Sequence, residues 1–314
     1  MNSSTRQVPN IIVDSSIIIL ASIKICISAS LFGFITYHTI ISKNSPHRVA
    51  LLLTANVYLS LQLSSILFLE EYICILLGHK YSLASLDNGI LCQIRIYLQY
   101  VLVSAICYSN ALQAIYRLCR IIFYTKKSYQ SFQLYQILSI IQWILCFLIM
   151  FPSLYFGDFK YSINDYSCQL DYANYRGVFM IGTLSFSIPM TIIVGCNIYT
   201  IKKMRRRNNN DIEIMTQLQR MIVQRDLVVL FRLLILLGIL MTFGIIPVMI
   251  ILINIFTGLV PWWSSQIQWL VFNILTTIVS IVLIIISPHF HNLWKKKPSH
   301  LHCHRHAVVK HVVI

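Results

Sequence analysis

The chain has 314 residues, 57% of them hydrophobic and 11% charged, with a mean hydropathy of +0.71. A soluble domain of this size carries about a quarter charged residues, so a soluble globular enzyme is excluded and a membrane protein is indicated. The formal net charge of +15 is then no sign of nucleic acid, and no nucleic-acid partner is expected, because membrane proteins gather Lys and Arg in their cytoplasmic loops.

In chain order, residues 1–15, MNSSTRQVPNIIVDS, lack the basic start and short apolar run of a cleavable signal and are expected to form a short extracellular N-terminus. A membrane span needs roughly 20 mainly apolar residues. Seven segments meet this: Ser16–Ile41, Val49–Leu77, Gly89–Tyr124, Phe132–Phe156, Gly177–Ile201, Asp226–Phe256 and Gln266–Ser287. Backbone satisfaction in lipid makes them helices, since no dyad alternation suggests a barrel. The expected fold is an all-α seven-transmembrane bundle over residues 16–287. Residues 288–314 follow as a cytoplasmic amphipathic helix and a basic, His-rich tail.

Charge sets the expected orientation. Lys43 and Arg48, Lys126 and Lys127, the cluster from Lys202 to Arg225, and Lys295, Lys296, Lys297, Arg305 and Lys310 all fall on one side. The other side carries only Arg6, Lys80, Lys160 and Arg176, with five aspartates: Asp14, Asp87, Asp158, Asp165 and Asp171. The positive-inside rule places the N-terminus outside and the C-terminus inside. The sequon at Asn2, Asn-Ser-Ser, then lies on the side where glycosylation occurs. "KKMRRRNNN" reads as a basic, mobile loop. It is a solvated topology signal or a partner-docking segment.

Two cysteines, Cys92 and Cys168, fall on the oxidising side and can bond, or stand as two free thiols. Arg117 follows Cys92 by 25 positions, roughly 37 Å of helix and a little over one hydrocarbon thickness. Gln99, Asn110, Gln113 and Arg117 recur at helical spacing and are expected to face the bundle interior.

These residues carry a resemblance over essentially the whole chain. The pattern resembles a rhodopsin-like (class A) G protein-coupled receptor, divergent and without an assigned ligand. "YRL", Tyr116–Leu118, stands where that family has Asp-Arg-Tyr. "LLTAN", ending at Asn56, resembles the helix-two motif Leu-Ala-x-Ala-Asp. Trp143, Pro189 and Pro247 match the tryptophan of helix four and the prolines of helices five and six. "SPHFHNLWKKK" resembles the turn into a short amphipathic helix. The departures are Tyr116 for the acid that restrains the arginine, Asn56 for the sodium-site aspartate, Ile245 for the helix-six tryptophan, and no Asn-Pro-x-x-Tyr in span seven. Tyr199 stands two residues beyond the expected helix-five position.

The resemblance implies a multi-pass plasma-membrane receptor, not an enzyme and with no cofactor. Its partners would be an extracellular ligand, a heterotrimeric G protein and the lipid bilayer. Tyr116, Arg117, Leu118 and Pro247 would form the coupling switch, with Asp226 a substitute partner for Arg117 or simply a helix-terminal acid. The ligand pocket would draw on Glu70, Glu71, Arg95, Gln99, Tyr100 and Trp269, with Trp269, Trp262 and Trp263 at its rim. Glu70 and Glu71 read equally as a solvated helix end, and Trp262 and Trp263 as an interfacial belt. Span seven has no lysine for a retinal Schiff base. Gln99 takes the place of the aspartate of amine receptors, while a peptide is compatible with Gln99 and a mixed-charge outer surface. Lys24 is expected to snorkel outward, and Arg120 to anchor at the interface. In the tail, Cys303 is a palmitoylation candidate; its histidines fit no closed zinc site, and no metal is assigned. The alternatives are a seven-helix protein that binds ligand or partners without G protein signalling, or a small-solute transporter, for which no internal repeat is seen.

Overall fold

The computed structural model describes residues 3–41, 48–81, 89–123, 127–162, 166–171, 174–210, 238, 249–250, 252–253, 256–257 and 264–286. The chain runs through α1 (Ser3–Ile41), α2 (Arg48–Tyr81), α3 (Ile90–Ile122) and a 3-10 turn at Lys127–Gln130 into α4 (Phe132–Tyr155). A hairpin of β1 (Phe159–Ser162) and β2 (Ser167–Leu170) follows, then α5 (Tyr175–Met180), a π-helical stretch at Ile181–Ser187, α6 (Ile188–Asn210) and α7 (Ser264–Ile286). Among the described residues, five helices are long and apolar enough to cross a membrane: Ile12–Ile40, Arg48–Gly78, Ile90–Ile122, Phe132–Tyr155 and Tyr175–Lys203. A shorter apolar helix spans Gln266–Val282. The chain is a helical membrane protein. The expected sixth span, with Pro247 and Asp226, lies almost wholly outside the described residues. So do Asn2, Trp262, Trp263, Pro288 and Cys303.

α3 is the central pillar. Its apolar window is 67% buried, against 22% for those of α1 and α4, and it packs against α2, α4 and α6. α4 turns Ile137, Ile140, Ile144, Leu148 and Phe151 outward, as a helix facing lipid on one side should. Ser131 caps α4 by accepting the Leu134 N–H at 3.4 Å, which meets one of the orphan donors of a helix start.

A polar network holds α2, α3 and α4 together. The Asn56 amide donates to Ser109 Oγ at 3.0 Å and to Gln142 Oε1 at 2.7 Å, and its oxygen accepts the Trp143 indole N–H at 2.9 Å. Gln142 in turn donates to the Ala105 carbonyl at 3.1 Å. This corrects the sequence comparison, which aligned Asn56 with a sodium-site aspartate. Asn56 bonds to residues of α3 and α4, and the hydrogen bond from α2 to α7 comes from Tyr58, whose hydroxyl donates to the Ser280 carbonyl at 3.1 Å. Each residue along a helix turns the side chain by about 100°, so motif position alone did not fix the face.

The first expected span, Ser16–Ile41, agrees with the membrane-crossing part of α1, Ile12–Ile40, and the helix itself extends back to Ser3. Two further expectations are corrected. α6 runs to Asn210, so KKMRRRNNN extends a helix instead of forming a mobile loop; Lys and Arg are good helix formers. Lys24 does not snorkel: it lies fully buried on the stripe Asp14, Ile17, Ala21, Lys24, Ser28, Ile35 that faces the bundle.

The π-helical stretch sits just before Pro189. Proline has no N–H to offer the carbonyl four residues back, and the preceding turn widens to i→i−5 bonding, with Ile188 N–H donating to the Thr183 carbonyl. Tyr108 of α3 donates to the Leu184 carbonyl at 2.8 Å, which supplies a donor to this irregular backbone.

Candidate functional site: a disulfide-end cleft and the Arg117 end of α3

Cys92, at the start of α3, is bonded to Cys168 in β2, with their Cα atoms 5.7 Å apart. The bond ties the hairpin to the helix end. β1 and β2 pair antiparallel with Tyr161 opposite Cys168. Phe159 stacks on Tyr100 of α3 at 5.8 Å. The turn residue Tyr166, in the left-handed region at φ 49, covers Gly78 of α2 so closely that a Cβ there would lie 2.8 Å from its ring. A glycine is therefore required at position 78 for the hairpin to close on α2.

The root of the hairpin is clamped by a buried carboxylate. Asp158 Oδ1 accepts from Arg176 and from Asn174, each at 2.6 Å. Arg176 also lies over the Phe156 ring at 4.1 Å. The exposed pair Lys160–Asp171, 2.6 Å apart, raises the lysine pKa above its ordinary value through the hydrogen bond and the charge of Asp171.

Beneath β2 lies a narrow cleft with a cavity volume of about 10 Å³, lined by Asp14, Glu71, Tyr72, Gln266, Trp269 and the β2 residues Ser167 to Gln169. It adjoins a second hollow lined by Glu71, Arg95, Ile96, Tyr166 and the disulfide. Of the expected pocket residues, the structure brings Glu71, Arg95 and Trp269 to these hollows. Glu71 is 7% exposed and Trp269 5%, so neither is a solvated end or an open rim. Glu70 lies outside both hollows, half exposed, and pairs with Arg95 at 3.2 Å. Tyr100 packs on Trp269 at 5.5 Å. Gln99 is 1% exposed on α3, and both polar atoms of its amide lack a hydrogen-bond partner. An orphaned buried amide is costly, and Gln99 is not among the residues that line either hollow.

Asp14, Tyr72 and Gln266 were missed by sequence reasoning. Asp14 was counted with the exposed acids, yet it is fully buried; its position seven residues before Ala21 on one helical stripe was the available signal.

Below the cleft, Trp269 meets Phe68 edge-on at 5.1 Å and Phe272 at 5.9 Å. Under this aromatic layer is Lys24. Its ammonium donates to Asn273 Oδ1 at 2.9 Å and Thr276 Oγ1 at 3.1 Å, and lies 5.5 Å from the Phe68 ring centre and 5.7 Å from that of Phe272. Among the described residues, no carboxylate is within ion-pair reach of it.

At the opposite end of α3, Arg117 and Leu118 are half-buried. Tyr116 is 4% exposed and turns edge-on into Tyr135 of α4 at 4.9 Å. Both belong to an apolar cluster with Val49, Leu53 and Leu112. Arg48, at the start of α2, stacks on Phe132 at 4.0 Å. The residue that replaces the family's acid thus packs between α3 and α4. Arg120 is also half-buried in the last turn, and the described residues contain no group of three or more metal-ligating side chains.

A search of curated proteins finds no match to the chain. The family profile described as 7 transmembrane receptor (rhodopsin family) matches residues 38–289 of the 314. With its apolar helices, its α3 pinned to a hairpin by Cys92–Cys168 and its arginine at the far end of α3, the chain belongs to the rhodopsin family of seven-transmembrane receptors, and is a receptor rather than an enzyme.

Proposed function

We propose that the chain is a plasma-membrane G protein-coupled receptor with its N-terminus outside. An extracellular ligand binds in the cleft under β2, and a heterotrimeric G protein is activated at the Arg117 end. The observation that carries this reading is α3 itself: one buried helix joins the disulfide-bonded cleft to Arg117. The excess of Lys and Arg near the Arg117 end supports the orientation. Asp14, Glu71, Arg95 and Trp269 are the binding residues, and Tyr116, Arg117 and Leu118, with Pro247 as the kink of the sixth span, are the switch. Residues 288–314 form the cytoplasmic tail.

The mechanism is a change in population between two packings of the bundle. A ligand that bonds the cleft carboxylates in only one packing shifts the balance toward it. A proline-kinked helix can swing its end, and opening at the Arg117 end exposes the guanidinium as a docking contact. The test is ligand-free G protein activation in cells for the wild type and Arg117→Ala at matched surface level. Basal exchange lost in the variant supports coupling; equal exchange in both rules out Arg117 as the contact. The missing acid at Tyr116 loosens the hold on Arg117 and should raise basal activity, whereas the erosion of the other switch motifs, Ile245 for the tryptophan and no Asn-Pro-x-x-Tyr, favours a second reading, ligand binding without G protein signalling.

A further inference from the structure

Lys24 lies fully buried in a membrane-spanning helix, and the hydrogen-bond partners of its ammonium, Asn273 and Thr276, are neutral. A lone charge inside a bundle is costly, and by default it marks a function whose counter-charge should be named. The protein side supplies two oxygen acceptors and two aromatic faces, and an ammonium has three donors. One donor is left for an anion.

Lys24 is one side-chain layer below the cleft floor, since Trp269 lines the cleft and touches Phe68 and Phe272, the two rings that flank the ammonium. Within the cleft the charge reverses, because the buried carboxylates of Asp14 and Glu71 line it. Asp14 and Lys24 lie on the same face of α1, ten residues and roughly 15 Å apart. An extended chain covers that distance in about four residues.

We propose that the ligand is a short peptide entering with its C-terminus first. Its free carboxylate pairs with Lys24 and its C-terminal side chain displaces the Trp269 and Phe68 rings. A basic side chain about four residues upstream meets Asp14 and Glu71. A cation within the cleft and an anion beneath it fit this charge order, whereas a simple amine satisfies only the cleft carboxylates. This proposal rests on the cleft being the ligand site of the receptor reading above.

The test uses the purified full chain in lipid nanodiscs and reads the shift in thermal unfolding midpoint against probe concentration. The probes are synthetic pentapeptide pools with Arg first and an apolar or aromatic residue last, made as free acids and as C-terminal amides. Matched pools carry norleucine in place of Arg, and oleate is a separate probe. The expected result is binding of the free-acid Arg pool, at least about thirtyfold weaker binding of the amide pool, as for truncating one partner of a buried charge pair, and loss of that preference in Lys24→Met. The norleucine pool should bind more weakly than the Arg pool. Equal affinity for acid and amide on the wild type overturns the proposal without relying on any variant. So does an acid preference that survives in Lys24→Met, or silence of every pool. Binding of oleate alone overturns the peptide in favour of a fatty acid. Because nanodisc binding needs no G protein, these failures leave Arg117-dependent coupling standing. Loss of that coupling with acid-selective binding intact would count against the signalling reading alone.

Discussion

The indole N–H of Trp143 meets the side-chain oxygen of Asn56 at 2.9 Å, so α4 is bonded to α2 across the face of α3. Every polar atom of the Asn56 amide is occupied, and Ser109 Oγ adds a bond to Gln142 Oε1 at 3.2 Å. Removing the hub breaks three bonds at once and leaves the N–H of half-buried Trp143 without its partner, whereas removing the tryptophan N–H breaks one bond. Asn56→Leu should therefore cost about 1–3 kcal/mol, the penalty of leaving buried polar groups unsatisfied. Trp143→Phe loses one hydrogen bond, about 1 kcal/mol, plus a small packing term. Thermal unfolding of the purified protein measures both. Equal losses would show that the four residues do not act as a network.

The clamp at the hairpin root is tight enough to forbid a methyl group. A Cβ on Gly177 would lie 2.9 Å from Cβ, Cγ and Oδ2 of Asp158, and Asp158 is held by Asn174 and Arg176 and cannot easily yield. Gly177→Ala should destabilise by about 1–3 kcal/mol through overpacking. The same change at Gly182 or Gly195, where nothing lies within 4 Å of the new Cβ, should be neutral or mildly stabilising. Melting midpoints of the three variants, compared in one preparation, check the order.

Cys92–Cys168 closes a separation of 76 residues and holds β2 over the cleft. Cys92→Ser and Cys168→Ser should each cost about 2–5 kcal/mol, and the double variant no more than either, because one bond is lost in all three. Surface level and thermal midpoint are the readouts. Additive losses in the double variant would mean that the thiols act separately.

Tyr116 fills a greasy contact with Tyr135 where a carboxylate would face a guanidinium. Tyr116→Asp places an acid one residue from Arg117 and should lower ligand-free signalling, because an ion pair at that depth favours the closed end. Tyr116→Phe keeps the edge-on ring contact of this buried residue and should leave signalling within about fivefold, the worth of one hydrogen bond of about 1 kcal/mol. Second-messenger output at matched surface level decides, and higher output from Tyr116→Asp would reverse the assignment.

The helices were legible because apolar runs with polar or glycine punctuation define spans. α4 begins at Phe132 as expected, after the Ser131 cap, and α3 starts one residue past Gly89. What stayed illegible was the direction in which single polar residues point. Lys24 looked like a snorkelling cation because its partners, Asn273 and Thr276, lie 249 and 252 positions away. Asp14 looked like part of a solvated terminus because α1 extends back to Ser3. Asn56 matched a motif by order yet bonds to α3 and α4. Rotation about a helix axis is set by packing between distant segments, and one chain read alone carries little of that information.

Lys24 allows stability and function to be separated. In Lys24→Met the stem is replaced by an apolar chain of similar length, while Asn273 and Thr276 keep donors satisfied by their own helix: Asn273 Nδ2 donates to the Trp269 carbonyl at 3.0 Å and Thr276 Oγ1 to that of Phe272 at 2.8 Å. Only two acceptor contacts are lost, and the desolvation cost of a buried charge disappears. Replacing buried ionic groups by well-packed apolar ones is often neutral or stabilising by about 1–4 kcal/mol. Lys24→Met should therefore melt at the wild-type temperature or above it, and lose ligand selectivity at the same time. Lys24→Glu, which puts a carboxylate against two oxygen acceptors and two ring faces, should lose surface expression. A Lys24→Met protein that melts several degrees lower would make the lysine a structural tie between α1 and α7. A charge that costs stability and is nonetheless present is better explained by what it binds.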